Sequence, residues 1–504
     1  MERGLKNRLK VFVVLLLIAF IFQLIYVNLM DRDEGLYALF AREMLHGKVP
    51  FNDIVDNKPI GLYVLFIPVV LIGGTDFLRF HILLTLMNAV TAFTIYLIAK
   101  KLGAEKASVV GALIYLIAIY EPLHIGSMYK SEVFLNLFTV LSFYVLLEGR
   151  TMKNALIGGV FTALAILTKQ TAILFLPVAV LSIYKNSKNS QLWPSSFLKS
   201  GLTFGLGVLA TIAVPLLYLQ SNGALGNMIY YTLTGLYDPV NLNMFRVNFL
   251  GSLMSSVLVA LTPIMVSLFL ISLTNYRQLL DEKHRLLVAW FCIGCIQALV
   301  PPPGTSHVDL ILPSLTIMAM LSTNAAKEYV GSIDKKITGR VLKALFCGAL
   351  LFFFCMAALQ YLSEIAWALE NETYADSIPS SSELKYALEF LANNTEPGDY
   401  IYVAFVEPHI YYFSNREVPV KYPYIGTAWC EGDQEIFKEE ILDKLDGKKP
   451  QYVVFYDGPF SLKKPCWCDK KGYCPDNRQT FLDYLNEKYT LTGVKQKLKI
   501  FVRT

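Results

Sequence analysis

Long apolar runs separated by short polar segments dominate the chain. An α-helix needs about 20 apolar residues to cross the hydrocarbon core of a bilayer, and the pattern predicts about eleven such helices. Their approximate positions are 11–29, 80–99, 107–121, 132–147, 155–168, 170–184, 198–219, 249–274, 286–301, 308–322 and 341–362. A shorter apolar run at 60–74 contains Pro68. We expect it to lie at the membrane surface or to dip partway in, because it is too short to span.

The first polar segment, 30–79, predicts a helix of its own. Leu36, Phe40 and Met44 recur every four residues, while the polar side chains fall elsewhere. This spacing is typical of an amphipathic helix that lies on the membrane surface. The helix is expected to end at the turn formed by Gly47 and Pro50.

The composition changes after residue 363 to that of a soluble α/β domain. A serine cap, helical periodicity and a Pro-Gly stop in "SSSELKYALEFLANNTEPGD" predict a helix. The segments "YIYVAFV", "PQYVVFYDG" and "KQKLKIFVRT" are typical of strands. The predicted fold is therefore a mainly α polytopic membrane protein with a C-terminal extracytoplasmic α/β domain. The predicted domains are 1–362, which includes the external loop 30–79, and 363–504.

Composition and charge support this architecture. The 504 residues are 54% hydrophobic and only 17% charged, which is typical of a membrane protein. Lys and Arg concentrate in alternate loops, and positive charge accumulates on the cytoplasmic side. The pattern predicts a multi-pass protein of the cell membrane with a cytoplasmic N-terminus. The loop 30–79 and the C-terminal domain, which carries sequons at Asn371 and Asn393, are then extracytoplasmic. The net charge of +5 follows from this topology and does not indicate a nucleic-acid partner.

Four cysteines in the C-terminal domain are disulfide candidates. External thiols oxidise readily, and four of them allow three pairings, which all stay open. A metal site formed by these cysteines is the alternative, but the C-x-C-x5-C spacing fits no common zinc-binding pattern. The candidates are Cys430, Cys466, Cys468 and Cys474.

Three carboxylates are candidates for chemistry. Asp33 and Glu34 directly follow the first apolar run, where a carboxylate is partly desolvated at the bilayer boundary. They could equally serve only to stabilise the start of the surface helix. Glu132 begins the fourth predicted span, and its structural alternative is a first-turn acid with Ser131 as the helix cap. Acids from two external segments could converge.

Several cations occur on the external side, where the positive-inside rule depletes them. Lys58, Arg79, Lys130 and Lys169 lie at external helix ends and suit an anionic headgroup such as a lipid phosphate. Each alone could simply be solvated. His307 and Asp309 form an isolated H-x-D, which is a weak indication of a metal site.

The stretch "DEGLYALFAREMLHGKVPFNDIVDNKPIGLYVLF" resembles the first external loop of the GT-C polyprenyl-phosphate-dependent glycosyltransferases. This group contains the protein O-mannosyltransferases and the lipid A aminoarabinose transferases. "YKSEVFLNLF", "ALAILTKQTAILFLP" and, more loosely, "HVDLILPSL" are similar to later family motifs. Together these matches cover about residues 10–320. The first-loop residues that match in order are Asp33, Glu34, Tyr37, Ala41, Arg42, Met44, Gly47, Lys58 and Pro59.

The resemblance implies an inverting transfer of a sugar from a polyprenyl or dolichyl phosphate, mannosyltransferase-like, to a protein, lipid or glycan acceptor. It implies Asp33 as the general base with Glu34 beside it, and Glu132 as a second acid. It implies Lys58 as the ligand of the donor phosphate, and Arg79 and Lys130 are further candidates for this role from their positive charge at external helix ends. The candidates for binding or positioning substrate are Tyr37, Asp56 and His307.

One departure from the family bears on metal use. Some members carry an acid directly before the loop Lys-Pro and bind a metal there, whereas this chain has Asn57, with Asp56 one residue away. No cofactor is certain from the sequence, and a divalent metal is possible.

Two hypotheses of other classes compete with the transferase. A membrane transporter could use Glu132, Asn136 and Asn88 as an intramembrane polar path, although no internal repeat supports it. A structural membrane protein with an external binding domain would leave the first loop unexplained.

Overall fold

The computed structural model describes residues 2–25, 32–121, 124, 128–149, 151–188, 193–234, 253–254, 256–257, 259–300, 305–332, 381–404, 407–423, 438–456 and 477–504. Over these residues the chain is mainly helical with a small sheet near its C-terminus, which confirms the predicted fold class. The cysteines predicted to form disulfides and the predicted span 341–362 lie outside the described residues.

The helices of the N-terminal two thirds follow the apolar runs, because each run lets a helix bury or shield its side chains while satisfying its own backbone. Short 3₁₀ turns occupy Gln170–Phe175 and Thr305–Leu310, and a π turn occupies Tyr230–Thr234. The helices are α1 Glu2–Ile25, α2 Arg32–Leu45, α3 Ile60–Gly73, α4 Phe77–Leu102, α5 Ser108–Ile119, α6 Ser131–Glu148, α7 Met152–Thr168, α8 Leu176–Lys188, α9 Ser195–Ser221, α10 Leu225–Ile229, α11 Pro263–Leu273, α12 Tyr276–Leu279, α13 Arg285–Leu299 and α14 Leu312–Ser332.

Every predicted span within the described residues coincides with a helical segment. Four of the described helices are both long and apolar enough to cross a membrane, in windows that begin at Leu5, Leu78, Ser131 and Ser195. The other apolar helices, including α3 as expected, are shorter. The number of eleven spans therefore stays a prediction.

The C-terminal part forms a mixed four-stranded sheet in the order β1-β2-β4-β3. β1 pairs with β2 in parallel, while β4 pairs antiparallel with both β2 and β3. The predicted helix and three predicted strands are present, but the edge strand β3 was not predicted. The elements are α15 Ser381–Asn394, β1 Ile401–Val403, α16 His409–Ser414, a π turn Lys438–Leu442, α17 Asp443–Lys448, β2 Tyr452–Tyr456, α18 Asn477–Lys488, β3 Tyr489–Lys495 and β4 Leu498–Arg503.

The chain divides into two compact units that are discontinuous in sequence. Unit 1 comprises Met1–Ile25, Ile82–Pro215 and Asn248–Trp367. Unit 2 comprises Tyr26–His81, Leu216–Val247 and Ala368–Thr504. The loop 30–79 thus belongs to the same unit as the C-terminal sheet, whereas the sequence-based division placed it with the predicted membrane helices. That division into 1–362 and 363–504 stays a prediction.

Small residues let helices of unit 1 approach each other closely. A Cβ at Gly159 would collide with the backbone oxygen of Phe204, and one at Gly207 would collide with that of Leu156. Close backbone approach at glycine is a common way for α-helices to associate in membranes. Gly159 of α7 and Gly207 of α9 therefore serve the packing of these two helices, whereas Gly201 and Gly205 of α9 have open space around them.

The helix predicted in the first loop is α2, but its predicted environment is wrong. Residues 34–43 are all buried, including the polar side chains of Arg42 and Glu43. α2 packs against α3 and against α16 of the C-terminal segment. It is therefore an internal helix of unit 2 rather than an amphipathic helix with an exposed polar face.

Candidate functional site

The acid pair lies in the first turn of α2, where carboxylates are favoured by the positive end of the helix dipole. The two side chains differ in environment. Glu34 is fully buried, and its Oε1 lies 3.3 Å from Nε2 of His81. Asp33 is only partly buried. Of the two, Asp33 is thus the carboxylate that a molecule from outside can reach.

Gly35 fixes how the start of α2 meets the C-terminal segment. An added Cβ would lie 2.5 Å from the Cα of His409 and 3.0 Å from its backbone nitrogen. Both of these are backbone atoms that cannot turn aside. Residue 35 must therefore lack a side chain for the acid pair to keep its position against α16.

Aromatic rings hold α2 against α3. The ring of Tyr37 packs edge-on against Phe66 at a centroid distance of 5.4 Å, and that of Phe40 stacks on Tyr63 at 4.3 Å. Tyr37 is only 1% exposed. Its predicted role in positioning substrate stays a prediction, and in this structure its ring belongs to the core of the loop.

The Lys-Pro segment carries a positive charge on Lys58. The side chains of the preceding acid Asp56 and the neutral amide Asn57 both take part in hydrogen bonds. Asp56 is buried and accepts a hydrogen bond of 2.7 Å from the hydroxyl of Tyr63. The half-buried Lys58 donates through Nζ to Oδ1 of Asn57 at 2.7 Å. Within the described part of the chain, no carboxylate lies within 4 Å of this ammonium. Because Asn57 is neutral, it leaves the charge of Lys58 available for an anion.

Arg79 is exposed, and its backbone N–H donates to Oδ1 of Asp76 at 2.8 Å near the start of α4. Lys130 is half-buried and is the N-cap residue of α6. The structural alternative in which Ser131 caps the helix is not observed, because Lys130 is the N-cap and Oγ of Ser131 donates to Oε2 of Glu132 at 3.0 Å. Phosphate binding by Arg79 and Lys130 stays a prediction.

A buried polar cluster surrounds Glu132 in unit 1. Its Oε1 accepts from Nζ of Lys169 at 2.5 Å and from Oγ of Ser306 at 2.8 Å. Nε2 of His307 lies 3.6 Å from the same oxygen. The structure thus brings together Glu132 and His307, both predicted as site residues. It adds Lys169 as the ion-pair partner of Glu132, together with the hydroxyl of Ser306, which donates to the same carboxylate.

A second polar cluster in unit 1 involves Asp309. Its carboxylate pairs with Nδ1 of His124, whose Nε2 lies 3.7 Å from Oε2 of Glu121. The side chain of Asn136 donates to the backbone oxygen of Asp309 at 3.0 Å. The H-x-D pair therefore does not act as one ligand set, since His307 and Asp309 contact different partners.

An ion network in unit 2 was not predicted. Nε and Nη2 of Arg42 donate to Oε1 of Glu43 at 3.1 and 2.7 Å. The remaining donors of the guanidinium reach the backbone oxygens of Tyr411 at 2.8 Å and Arg416 at 2.7 Å. Lys48 bridges Glu43 and Glu417. This network ties α2 to the C-terminal segment.

The network shifts the pKa values of Lys48 and Glu417. Burial on its own would lower the pKa of Lys48, but the charges of Glu43 and Glu417 outweigh it, and the pKa is raised. Burial would likewise raise the pKa of Glu417, but the hydrogen bond and charge of Lys48 dominate and hold it below its usual range. Both groups therefore stay charged over a wide pH range.

One group of potential metal ligands lies in this network. Ligand atoms of Glu43, His46 and Glu417 lie within 4.8 Å of one another. The ammonium of Lys48 already pairs with both carboxylates. The positive charge that balances Glu43 and Glu417 therefore comes from this lysine and not from a metal ion. These three residues do not fit a resident metal, and the use of a divalent metal elsewhere stays a prediction.

Comparisons with known proteins find similarity to one family model and to several solved structures. Residues 56–218 match the family described as dolichyl-phosphate-mannose-protein mannosyltransferase. The fold is similar to ArnT from Cupriavidus metallidurans in the apo state, with a TM-score of 0.62 and 14% identity over 99% of this chain and 98% of that one. No curated protein matches the sequence.

Two structures of the oligosaccharyltransferase from Archaeoglobus fulgidus are also similar. The archaeal AglB, in complex with an inhibitory peptide and a dolichol-phosphate, has a TM-score of 0.51 and 11% identity over 88% of this chain and 69% of that one. The complex with Zn and sulfate has a TM-score of 0.51 and 13% identity over 88% and 68%. The predicted resemblance to the GT-C glycosyltransferases is confirmed as a likeness of fold, because structures at these identities show the fold alone.

Proposed function

We propose that the chain is a GT-C membrane glycosyltransferase, which its fold and its family match support. The proposed enzyme takes its sugar from a polyprenyl or dolichyl phosphate. The observation that carries the proposal is the family match over residues 56–218, which contains Lys58, Glu132 and Lys169. The fold likeness to ArnT over nearly the whole of both chains supports it.

The proposed reaction is an inverting displacement. The acceptor hydroxyl attacks the anomeric carbon of the sugar as the bond from that carbon to the phosphate oxygen breaks. The lipid phosphate leaves with the bonding electrons, and the hydroxyl proton passes to a base. Asp33 is the proposed base because it is the accessible member of the acid pair. Glu34, buried beside His81, is a positioning residue for it.

A cation must stabilise the negative charge of the departing phosphate. Lys58 is proposed for this role, since its ammonium contacts a neutral amide and its charge is not matched by a described carboxylate. Arg79 and Lys130 are proposed as further cations for the donor headgroup. Glu132 is proposed to hold Lys169 and His307 in place and so to orient substrate in unit 1.

The donor, acceptor and location follow the relatives and are proposals for this chain. The AglB structure contains a dolichol-phosphate and an inhibitory peptide, which suggests a lipid-phosphate-linked donor and a protein, lipid or glycan acceptor here. The mannosyl group is the first sugar to test, because the matching family is named for it. A multi-pass location in the cell membrane, with the chemistry on the outer face, completes the proposal.

The test uses purified protein in detergent with radiolabelled dolichyl-phosphate mannose, and it measures the release of dolichyl phosphate. Asp33→Asn should reduce release by roughly 10²-fold or more, as expected for loss of a general base. Asp281→Asn, which makes the same change at an exposed acid, is the control and should keep wild-type activity. If wild-type protein releases no phosphate from any polyprenyl-phosphate sugar, or if Asp33→Asn is fully active, the proposal fails.

A further inference from the structure

A polar cavity of about 520 Å³ lies within unit 2. One wall comes from the segment that follows α2 and includes Lys48. The others come from C-terminal segments and include Tyr400, Lys421, Lys444 and Lys448. The volume falls in the range of small-molecule binding sites and is much larger than an inorganic anion.

The lysines of this cavity, here called the lysine pocket, differ in how their charges are matched. Lys48 pairs with Glu43 and Glu417, and Lys421 pairs with Glu440 at 2.8 Å. These ammonium groups are therefore committed to partners within unit 2.

Lys444 and Lys448 are both exposed, and over the described residues neither has a carboxylate within 4 Å. They lie four positions apart in α17, a spacing that places two side chains on one helix face. Like charges at that spacing repel each other. An oxyanion between the two ammonium groups would remove the repulsion and gain two charge-assisted hydrogen bonds.

Tyr400 adds a surface suited to a polar ring. Its hydroxyl accepts a hydrogen bond of 3.1 Å from Nζ of Lys448, and the same ammonium lies 4.8 Å from the ring centroid. The tyrosine is half-buried, so its hydroxyl and ring edge border the cavity. A ligand held by Lys448 would lie directly against this aromatic residue.

We propose that the lysine pocket binds an anionic saccharide. The carboxylate of a uronic acid or the phosphate of a sugar phosphate would lie between Lys444 and Lys448, and sugar hydroxyls would meet the hydroxyl of Tyr400. The lining also contains the acids Asp53 and Glu440, so the oxyanion is selected locally by Lys444 and Lys448, which have no carboxylate within 4 Å among the described residues. The cavity volume and its polar lining select a sugar over a bare anion. The proposal concerns binding alone and does not depend on the proposed transfer reaction.

The experiment measures binding to the full chain in detergent by isothermal titration calorimetry. The probes are a disaccharide containing glucuronic acid, its neutral glucose counterpart, glucose 1-phosphate and inorganic phosphate. Saturable binding is expected for either or both anionic sugars, and it identifies which oxyanion is preferred. The affinity should fall as salt screens the lysines. Lys444→Gln/Lys448→Gln should weaken this binding roughly tenfold or more, as expected for the loss of two charge-assisted contacts.

The matched control is Lys385→Gln/Lys495→Gln, which removes the same charge from exposed lysines of unit 2 that do not line the cavity. It should leave the affinity unchanged. The proposal is overturned if neither anionic sugar binds, if the neutral disaccharide binds as well, or if the control loses as much affinity. Equal binding of inorganic phosphate would show a simple anion site and would overturn the assignment to a saccharide.

Discussion

Replacing Arg42 by methionine should open the contact between α2 and the C-terminal segment. The change keeps most of the side-chain volume but removes both hydrogen bonds to Glu43 and those to the backbone oxygens of Tyr411 and Arg416. Among the described residues, the fully buried Glu43 then keeps only Lys48 as a cationic partner.

The expected size of the effect follows from that burial. Removing one partner of a buried ion pair typically costs about 3–5 kcal/mol, because the other charge stays in a low-dielectric environment. Lys48 remains beside Glu43, so the lower end, about 3 kcal/mol, applies here. Since 1.36 kcal/mol corresponds to a factor of ten, local opening should become roughly 100-fold more frequent.

Hydrogen–deuterium exchange with mass spectrometry measures that opening directly. Peptides from α2 and from residues 409–416 should exchange about 100-fold faster in Arg42→Met than in the wild type. Arg503→Met is the matched control. Its ion pair with Asp446 is partly exposed, so its loss should cost about 1 kcal/mol or less.

A double-mutant cycle with Glu43→Gln tests the cause. Once the buried carboxylate is neutral, losing Arg42 should cost about 1–3 kcal/mol less than it does alone. Unchanged exchange in Arg42→Met, or strictly additive effects of the two substitutions, would refute the assignment of this stability to the buried charges.

Three further outcomes are expected. Gly35→Ala should destabilise unit 2 by about 1–3 kcal/mol in thermal unfolding, because the added Cβ meets backbone atoms. Gly226→Ala is the control and should be neutral or stabilising, because there is open space around residue 226. The stabilising contribution of Glu417, whose pKa is lowered, is present above about pH 4.3, its unfolded value, and is lost as pH falls through the folded value. The protection factor of peptides spanning residues 46–48, measured against unstructured amides at the same pH, should therefore fall on acidification, and Glu417→Gln should abolish that fall. Lys169→Met should lower thermal stability by about 3 kcal/mol, and adding Glu132→Gln should restore part of it; equal stability of all three proteins would contradict the ion pair.

Helices were predictable here because the signals for them are local. Apolar runs placed the membrane helices, and the four-residue spacing of Leu36, Phe40 and Met44 placed α2. The burial of Arg42 was not predictable. Its partners are two backbone carbonyls far along the chain, and a polar side chain that faces such a partner looks the same in sequence as one that faces water.

The missed strand β3 has a similar physical cause. Only Tyr489 and Gly493 are buried in it, and the residues between them are exposed. A strand is recognised by alternation of apolar and polar positions, and an edge strand buried at so few positions barely shows it. Its pairing with β4 places it in the sheet.

The individual residues of the candidate site were predictable from the sequence, but the contacts between them were not. Glu132 and His307 were identified separately, each from its position at the end of a helix that was predicted to face outward. The ion pair with Lys169 and the hydrogen bond from Ser306 join segments 37 and 174 positions away from Glu132. Nothing in the local sequence of Ser306 distinguishes it from any other loop serine.

The pairing of α2 with the C-terminal segment also sets an order of events during biosynthesis. Arg42 and its acceptor at Tyr411 are 369 positions apart. At 5–20 residues per second, the ribosome adds that length in roughly 20 to 70 s. During this interval α2 and its charged side chains have been made while the segment that covers them has not. The helix that carries the proposed catalytic base therefore reaches its final environment only late in translation.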